Sequence, residues 1–310
     1  MKFQTLILLL FWLLPALPAP ATESPTAGMF SGQVTDAATD GLSIRERSAA
    51  VCRLWTAEKA GAGFFTAWAF PAGERINSCQ RRHHGAYEND PLALKNRNGQ
   101  IVVNGDHELG INSTDDSGTG KAAPAWIVVV FLNQVEKGRC WISDMELFAP
   151  DRKYDLGGER LAWLGTADET QGLEFIRDLL GQNSDHDVRE HLVFALYLFN
   201  GQAAVAELIG LARRDPDQDI RKEAIFWLGQ KASAAAVKAL GDVIASPEAL
   251  DIKKHAIFAL SQLPEDIGTP LLLDIARRNP YPRLRKEAIF WLGQSDDPRA
   301  LDLFTEILLK

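Results

Sequence analysis

The chain has little of what several function classes require. Its 33 Lys and Arg are outnumbered by 41 Asp and Glu, for a formal net charge of −8. That balance argues against a general binder of nucleic acid or anionic membrane, which needs clustered positive charge. Cysteine is scarce, with three residues in 310: Cys52, Cys79 and Cys140. The one membrane-like apolar run, Leu6 to Leu14, is too short to span a bilayer. The Gly-x-Gly within Asp115–Gly120 lacks the Lys-Ser/Thr ending of a phosphate loop and does not lead from a strand into a helix. No nucleophile–base pair is apparent either, so no catalytic residue and no cofactor are expected.

What is present begins with a leader. Met1-Lys2, the apolar run and Ala19-Pro20-Ala21 have the order of a secretory signal peptide over residues 1–21, cleaved after Ala21. The expected location is therefore periplasmic or secreted, with no stable membrane insertion after cleavage. In an oxidising compartment three cysteines suggest one disulfide and one leftover thiol among Cys52, Cys79 and Cys140, with the pairing open.

Residues 22–150 read as a small α+β domain with an antiparallel sheet. Small polar residues over 22–41 suggest a linker or loose start. Ile44 to Lys59 carries Ala49, Cys52 and Trp55 at helical spacing and ends at Gly61-Ala62-Gly63. Strands are expected at Phe64–Phe70, Gln100–Asn104 and Trp126–Leu132, where aromatic and β-branched residues suit a pleated surface. Gly138 turns the last of these into a hairpin partner, Cys140–Leu147. Cys79, His83, His84 and His107 are weak metal-ligand candidates: Cys79-x-x-x-His83 supplies half of a site that wants four ligands.

From 151 to 310 the chain repeats. Arg221 to Gln230 returns unchanged as Arg285 to Gln294, and Lys253 to Gln262 sits midway, 32 residues from each. A fixed period without insertions signals a solenoid. The frame aligns Asp155, Asp187, Asp219 and Asp251, the core Leu164, Leu196, Leu228, Leu260 and Leu292, and before it Trp163, Ala195, Trp227, Ala259 and Trp291. Each repeat splits into two helices. Ile220, Ala224, Trp227 and Leu228 stripe the first, which suits an end at a left-handed Gly229 cap. Val205, Leu208 and Leu211 stripe the second, and Pro216, Pro247, Pro280 and Pro282 break the chain between repeats. The Thr-Pro-Leu-His of ankyrin and the Trp-x-x-Leu-Gly-x-x-Tyr of tetratricopeptide repeats are missing.

The pattern Asp-Ile-Arg-Lys-x-Ala-Ile-Phe-x-Leu, followed by a helix ending in Ala-Arg-Arg, resembles short HEAT repeats of the phycobilisome-lyase HEAT-like kind over about residues 155 to 310. With Tyr154–Leu164 leading in, the chain also resembles exported bacterial HEAT-repeat proteins, a group that brings no assigned activity with it. The resemblance implies about five 32-residue HEAT-like helix pairs forming an all-α solenoid behind the α+β domain.

The basic pairs Arg221-Lys222, Lys253-Lys254 and Arg285-Lys286 recur at each first-helix start. They are docking candidates, although a recurring Asp and Arg, such as Asp219 with Arg221, also suit ties between repeats. Residues 151–310 hold 20 Lys and Arg against 26 Asp and Glu, so the strip is local and nucleic-acid binding is not expected. His191, Glu223, His255 and Glu287 share one repeat position. Iron-binding HEAT proteins such as deoxyhypusine hydroxylase use His-Glu pairs, and none of the corresponding dipeptides here is His-Glu. An ion-paired surface row is the expectation. The sequence thus points to a non-enzymatic exported scaffold that binds another protein through Arg221, Lys222, Glu223, Lys253, Lys254, His255, Arg285, Lys286 and Glu287. The runner-up is a ligand- or metal-binding sensor or enzyme with its site in the N-terminal domain or at its junction with the repeats. Leu303, Phe304, Ile307, Leu308 and Leu309 form a C-terminal repeat edge suited to self-association.

Overall fold

The computed structural model describes residues 25–38, 41–57, 63–71, 126–148, 154–183 and 185–309. Five strands form one sheet in the order β1-β5-β2-β3-β4: β1 (Phe30–Asp36), β2 (Phe64–Pro71), β3 (Trp126–Glu136), β4 (Arg139–Phe148) and β5 (Tyr154–Thr166). The β3–β4 hairpin turns at Lys137-Gly138, with φ of 51° and 77°, a left-handed pair that matches the twist of the flanking strands. The expected strand at 100–104 lies outside the described residues.

Three expectations need correction. The sheet is mixed, because β5 runs parallel to both β1 and β2 while β2–β3 and β3–β4 are antiparallel. Within 22–41, Phe30–Asp36 forms an edge strand. Most tellingly, Tyr154–Thr166, which the 32-residue frame reads as the first repeat helix, is a strand inside the sheet. Its side chains alternate: Leu161 and Trp163 enter the core on one face, Ala162 and Leu164 the core on the other. Gly157-Gly158 disfavours a helix there. The sheet therefore runs past the expected 150/151 boundary, and the helices start at Glu169.

Helix α1 (Ile44–Ala57) covers one face of the sheet. Ser43 and Glu46 bond reciprocally at its start, Ser43 N–H to Glu46 Oε2 at 2.8 Å and Glu46 N–H to Ser43 Oγ at 3.3 Å. Trp55 meets Phe64 edge-on at 4.6 Å, and Arg47 donates to the Leu164 carbonyl at 2.7 Å. A Cys52–Cys140 disulfide, with Cα atoms 6.0 Å apart, ties α1 to β4.

The helices that follow are α2 (Glu169–Gln182), α3 (His186–Leu198), α4 (Gln202–Arg214), α5 (Gln218–Lys231), α6 (Ala234–Ala245), α7 (Leu250–Ser261), α8 (Glu265–Arg278), α9 (Pro282–Leu292) and α10 (Pro298–Leu308). Asp168, Asp185, Asp217, Ser233 and Asp297 cap α2, α3, α5, α6 and α10 by accepting first-turn N–H groups. None of these helices is long and apolar enough to cross a membrane. Helices α3, α5, α7 and α9 pack side by side as one layer, with the even-numbered helices behind them.

Gly229 proves to be a contact residue. It lies inside α5, where a Cβ would sit 2.8 Å from the Ala259 carbonyl of α7. The left-handed residue ending α5 is Ala232, at φ 48°. One apolar core runs without a break from the α1 side of the sheet to Leu303 of α10. Phe70 of β2 stacks on Phe199, which follows α3, at 4.1 Å and 13°.

Candidate partner-binding face

The first-layer helices bury one stripe, Ile220, Ala224, Ile225 and Leu228 in α5, against the second layer. The opposite stripe is set by what the period repeats. Phe194, Phe226, Phe258 and Phe290 fall 32 residues apart, one on each first-layer helix, and none belongs to the buried core. Phe290 is 55% exposed and the other three are half-buried. The decapeptide's phenylalanine is thus an outward residue.

Trp227 and Trp291 fill the seams between helices. Trp227 lies 4.8 Å from Phe194, 4.5 Å from Tyr197 and 4.9 Å from Phe226, measured between ring centroids. Trp291 bridges Phe258 and Phe290 at 4.9 and 5.0 Å. Where Ala259 takes the tryptophan position, Phe226 and Phe258 stack directly at 6.2 Å and 13°. The result is an unbroken aromatic ribbon across α3, α5, α7 and α9.

The neighbouring alternation of His191, Glu223, His255 and Glu287 follows from the same seams. A tryptophan in a seam brings an indole N–H that needs an acceptor. Glu223 accepts from Trp227 Nε1 at 2.7 Å, and Glu287 from Trp291 Nε1 at 3.3 Å. Where alanine stands, the residue four positions earlier is histidine: His255 packs on Phe258 at 5.6 Å, and His191 is 2% exposed. The row expected to be ion-paired at the surface is mainly a set of braces for the ribbon. Burial holds the His255 pKa below its usual value, and the nearby Lys222 charge pushes the same way.

The other docking candidates divide into two rows. Lys222, Lys254 and Lys286 lie on the ribbon side. Lys222 pairs with Asp219 at 2.9 Å, Lys254 with Glu287 at 3.1 Å, and Lys286 is exposed. Arg221 and Arg285 turn toward the loops instead, and Lys253 faces the Tyr281 ring. Arg221 Nη1 donates to the Asp215 carbonyl at 2.7 Å, and Arg285 Nη1 donates to that of Asn279 at 2.8 Å. Asp219 is therefore not the partner of Arg221. Several acid–base pairs cross between repeats, and the most buried among the described residues is Arg189–Asp215, at 2.5 Å with side chains 13% and 5% exposed.

At the junction of α1 and α2, a cleft of about 580 Å³ is lined by polar groups including Ser43, Glu46, Gln171 and Glu174. Several of these groups satisfy one another, as in the Ser43–Glu46 bonds and an Arg45–Asp178 ion pair of 2.6 Å. Cys79, His83, His84 and His107 lie outside the described residues. Among the described residues, no three His, Cys, Asp or Glu side chains group in a way that could hold a metal ion.

Sequence reasoning missed the ribbon's Phe194, Tyr197, Phe226, Phe258 and Phe290. Their signal was the phenylalanine spacing itself, and the repeated Trp227 and Trp291 next to a second aromatic.

Comparison with known proteins agrees with the helical layout. Residues 205–277 match the family model of HEAT repeats, and residues 284–310 match that of the PBS lyase HEAT-like repeat. An N-terminal sheet-containing region thus precedes about eight helices in HEAT-like repeats, a repeat type that generally serves as a protein-interaction scaffold. No curated protein matches the chain. Among solved structures, human deoxyhypusine hydroxylase in complex with glycerol is similar at 22% identity and a TM-score of 0.32. That match spans 39% of this chain and 42% of the hydroxylase chain.

Proposed function

We propose that this protein is an exported scaffold that docks another protein on the face formed by α3, α5, α7 and α9. The observation that carries the reading is the aromatic ribbon from Phe194 to Phe290, half-buried and continuous over four helices. Aromatic side chains present large contact area at low entropic cost, and interfaces are enriched in them. The ribbon's two indoles are each held by a bond, to Glu223 and to Glu287, which lowers the ordering left for the moment of binding. The matching partner presents an apolar segment crossing several helices, with acidic groups beside Lys222, Lys254 and the exposed Lys286. What supports export is the apolar leader together with the Cys52–Cys140 disulfide, a bond that persists in oxidising compartments.

The test is site-specific photo-crosslinking in the native cell with benzoylphenylalanine at Phe258, Phe290 or, on the opposite layer, Lys238. A discrete protein adduct from 258 and 290, absent from 238 and lost when Phe226 becomes Asp, is the expected result. Equal labelling from both layers, or none from the ribbon, sinks the docking proposal. Mass spectrometry of the mature N-terminus checks export separately.

A further inference from the structure

The loops entering α5, α7 and α9 are equivalent in the 32-residue frame, and each is followed by one basic residue: Arg221, Lys253 or Arg285. The two arginines work alike. Arg221 Nη1 reaches the carbonyls of Asp215 and Pro216 at 2.7 and 3.5 Å, and Arg285 Nη1 those of Asn279 and Pro280 at 2.8 and 3.3 Å. The same register would set Lys253 on the carbonyls of Pro247 and Glu248. It is not there. Its Nζ lies 5.0 Å from the centroid of the Tyr281 ring, and among the described residues it meets no hydrogen-bond acceptor or carboxylate.

Lys253 is 7% exposed, so its stem is packed away while its ammonium ends at the wall of a cleft, beside the Tyr281 ring and with no anion paired to it among the described residues. It lines a largely apolar cleft of about 730 Å³ together with Leu250, Tyr281, Pro282 and Leu284. Two other charged residues border the cleft. Glu248 lies 3.8 Å from Arg221, and Arg283 is exposed. Helices α7 and α9 both begin at this cleft, and neither has a side-chain cap, whereas α3 and α5 are capped by Asp185 and Asp217. Uncapped first-turn N–H groups and the positive helix end favour an anion.

We propose that this cleft binds an organic carboxylate, its anionic group on Lys253 and its apolar body against Tyr281, Leu250 and Leu284. One unpaired cation at the cleft wall matches one negative charge, and the Glu248 carboxylate at the rim opposes a dianion. Apolar walls exclude a bare inorganic anion as the best fit, and a lysine lacks the fork that selects phosphate. The carboxylate has two sources of the same chemistry, a free acid or the C-terminus of a peptide.

Calorimetry on the full chain tests this with phenylacetate and N-acetyl-Ala-Ala-Phe, each against its neutral amide. Each acid that binds is expected to exceed its amide by about tenfold or more, the worth of a charge-assisted contact. Lys253→Met keeps the stem, removes the charge and should abolish the preference. It should also fold, since the methionine keeps the packed stem and strands no ion-pair partner. Lys253→Arg should reach the loop carbonyls as Arg221 and Arg285 do, and weaken the acid as well. Binding of phenylacetate assigns a free acid, and binding of the peptide acid alone assigns a chain terminus. Binding of neither acid, equal affinity for acid and amide, or unchanged affinity in Lys253→Met overturns the proposal.

Discussion

The pairing of Glu223 with Trp227, against His255 with Ala259, predicts a measurable coupling. Trp227 is 9% exposed and sits among Phe194, Tyr197 and Phe226. Trp227→Ala should cost about 3–5 kcal/mol, the range for emptying a buried aromatic site. Glu223→His alone removes the 2.7 Å acceptor of the indole N–H. Stranding that donor should cost about 1–3 kcal/mol. The double substitution rebuilds the His-x-x-x-Ala seam already present at His191/Ala195 and His255/Ala259. No indole is then left without an acceptor, and the imidazole has Phe226 to pack on, as His255 packs on Phe258 at 5.6 Å. The double variant should therefore cost no more than Trp227→Ala alone, a coupling of about 1–3 kcal/mol within the usual range for residues in contact. Urea denaturation of all four proteins closes the cycle. Strict additivity would refute the claim that the two alternations share one cause.

Other outcomes follow from the same contacts. Because Cys52 and Cys140 are 88 residues apart, replacing both with Ala should lower stability. Loop-closure entropy puts the loss at about 4.6 kcal/mol, and thermal melts with and without reductant should show it in the native chain too. Gly229→Ala forces a Cβ to within 2.8 Å of the Ala259 carbonyl, whereas Gly241 in α6 has nothing within 4 Å. The first should destabilise by about 1–3 kcal/mol and the second stabilise by about 0.4–1 kcal/mol, and two destabilising results in urea titrations would contradict the close approach. His186 and His255 should bend the stability profile in opposite directions. Burial lowers the His186 pKa, but its bond to Asp217 and the charges of Glu190, Asp217 and Asp187 outweigh that effect and raise it overall. Its stabilisation is full below the unfolded value of 6.5 and fades as pH rises through the raised folded value. Burial lowers His255, so its contribution is full above 6.5 and fades as pH falls toward the lowered folded value. His186→Gln should flatten the alkaline limb and His255→Phe the acid limb of melting temperature between about pH 5 and 9, and an unchanged profile in both would refute the assignment.

The helical half was legible because its signals are local and repeat. Asp at the loop, Leu on the buried stripe and proline between helices recur in one frame, and no distant partner is needed to interpret them. The frame failed where apolar letters satisfy two periods at once. Trp163-Leu164 keeps register with Trp227-Leu228, yet Leu161, Ala162, Trp163 and Leu164 are buried on both faces of a sheet. Only pairing with β1 and β2, more than a hundred and about ninety residues earlier, makes that stretch a strand. Exposure was hidden in a similar way. Phe226 and Ile225 are adjacent and apolar, and the helix turns one outward and the other into the core. The difference between Arg221 and Lys253 was also invisible, because a conservative exchange of charge hides the loss of a forked donor.

The position of β5 has a practical consequence for anyone dividing the chain. A cut at residue 150, natural from the repeat frame, removes the strand hydrogen-bonded between β1 and β2, leaving β1 detached and β2 with a bare edge. The fragment so made would expose an unpaired, aromatic strand of the sort that recruits other chains into aggregates. The complementary fragment would begin with thirteen residues of strand that have nothing to pair with. Neither half is a module that evolution could shuffle at that point. The sheet closes the near end of the helical stack as its first layer, so the two regions should melt, exchange amide hydrogens and resist proteolysis as a single cooperative body.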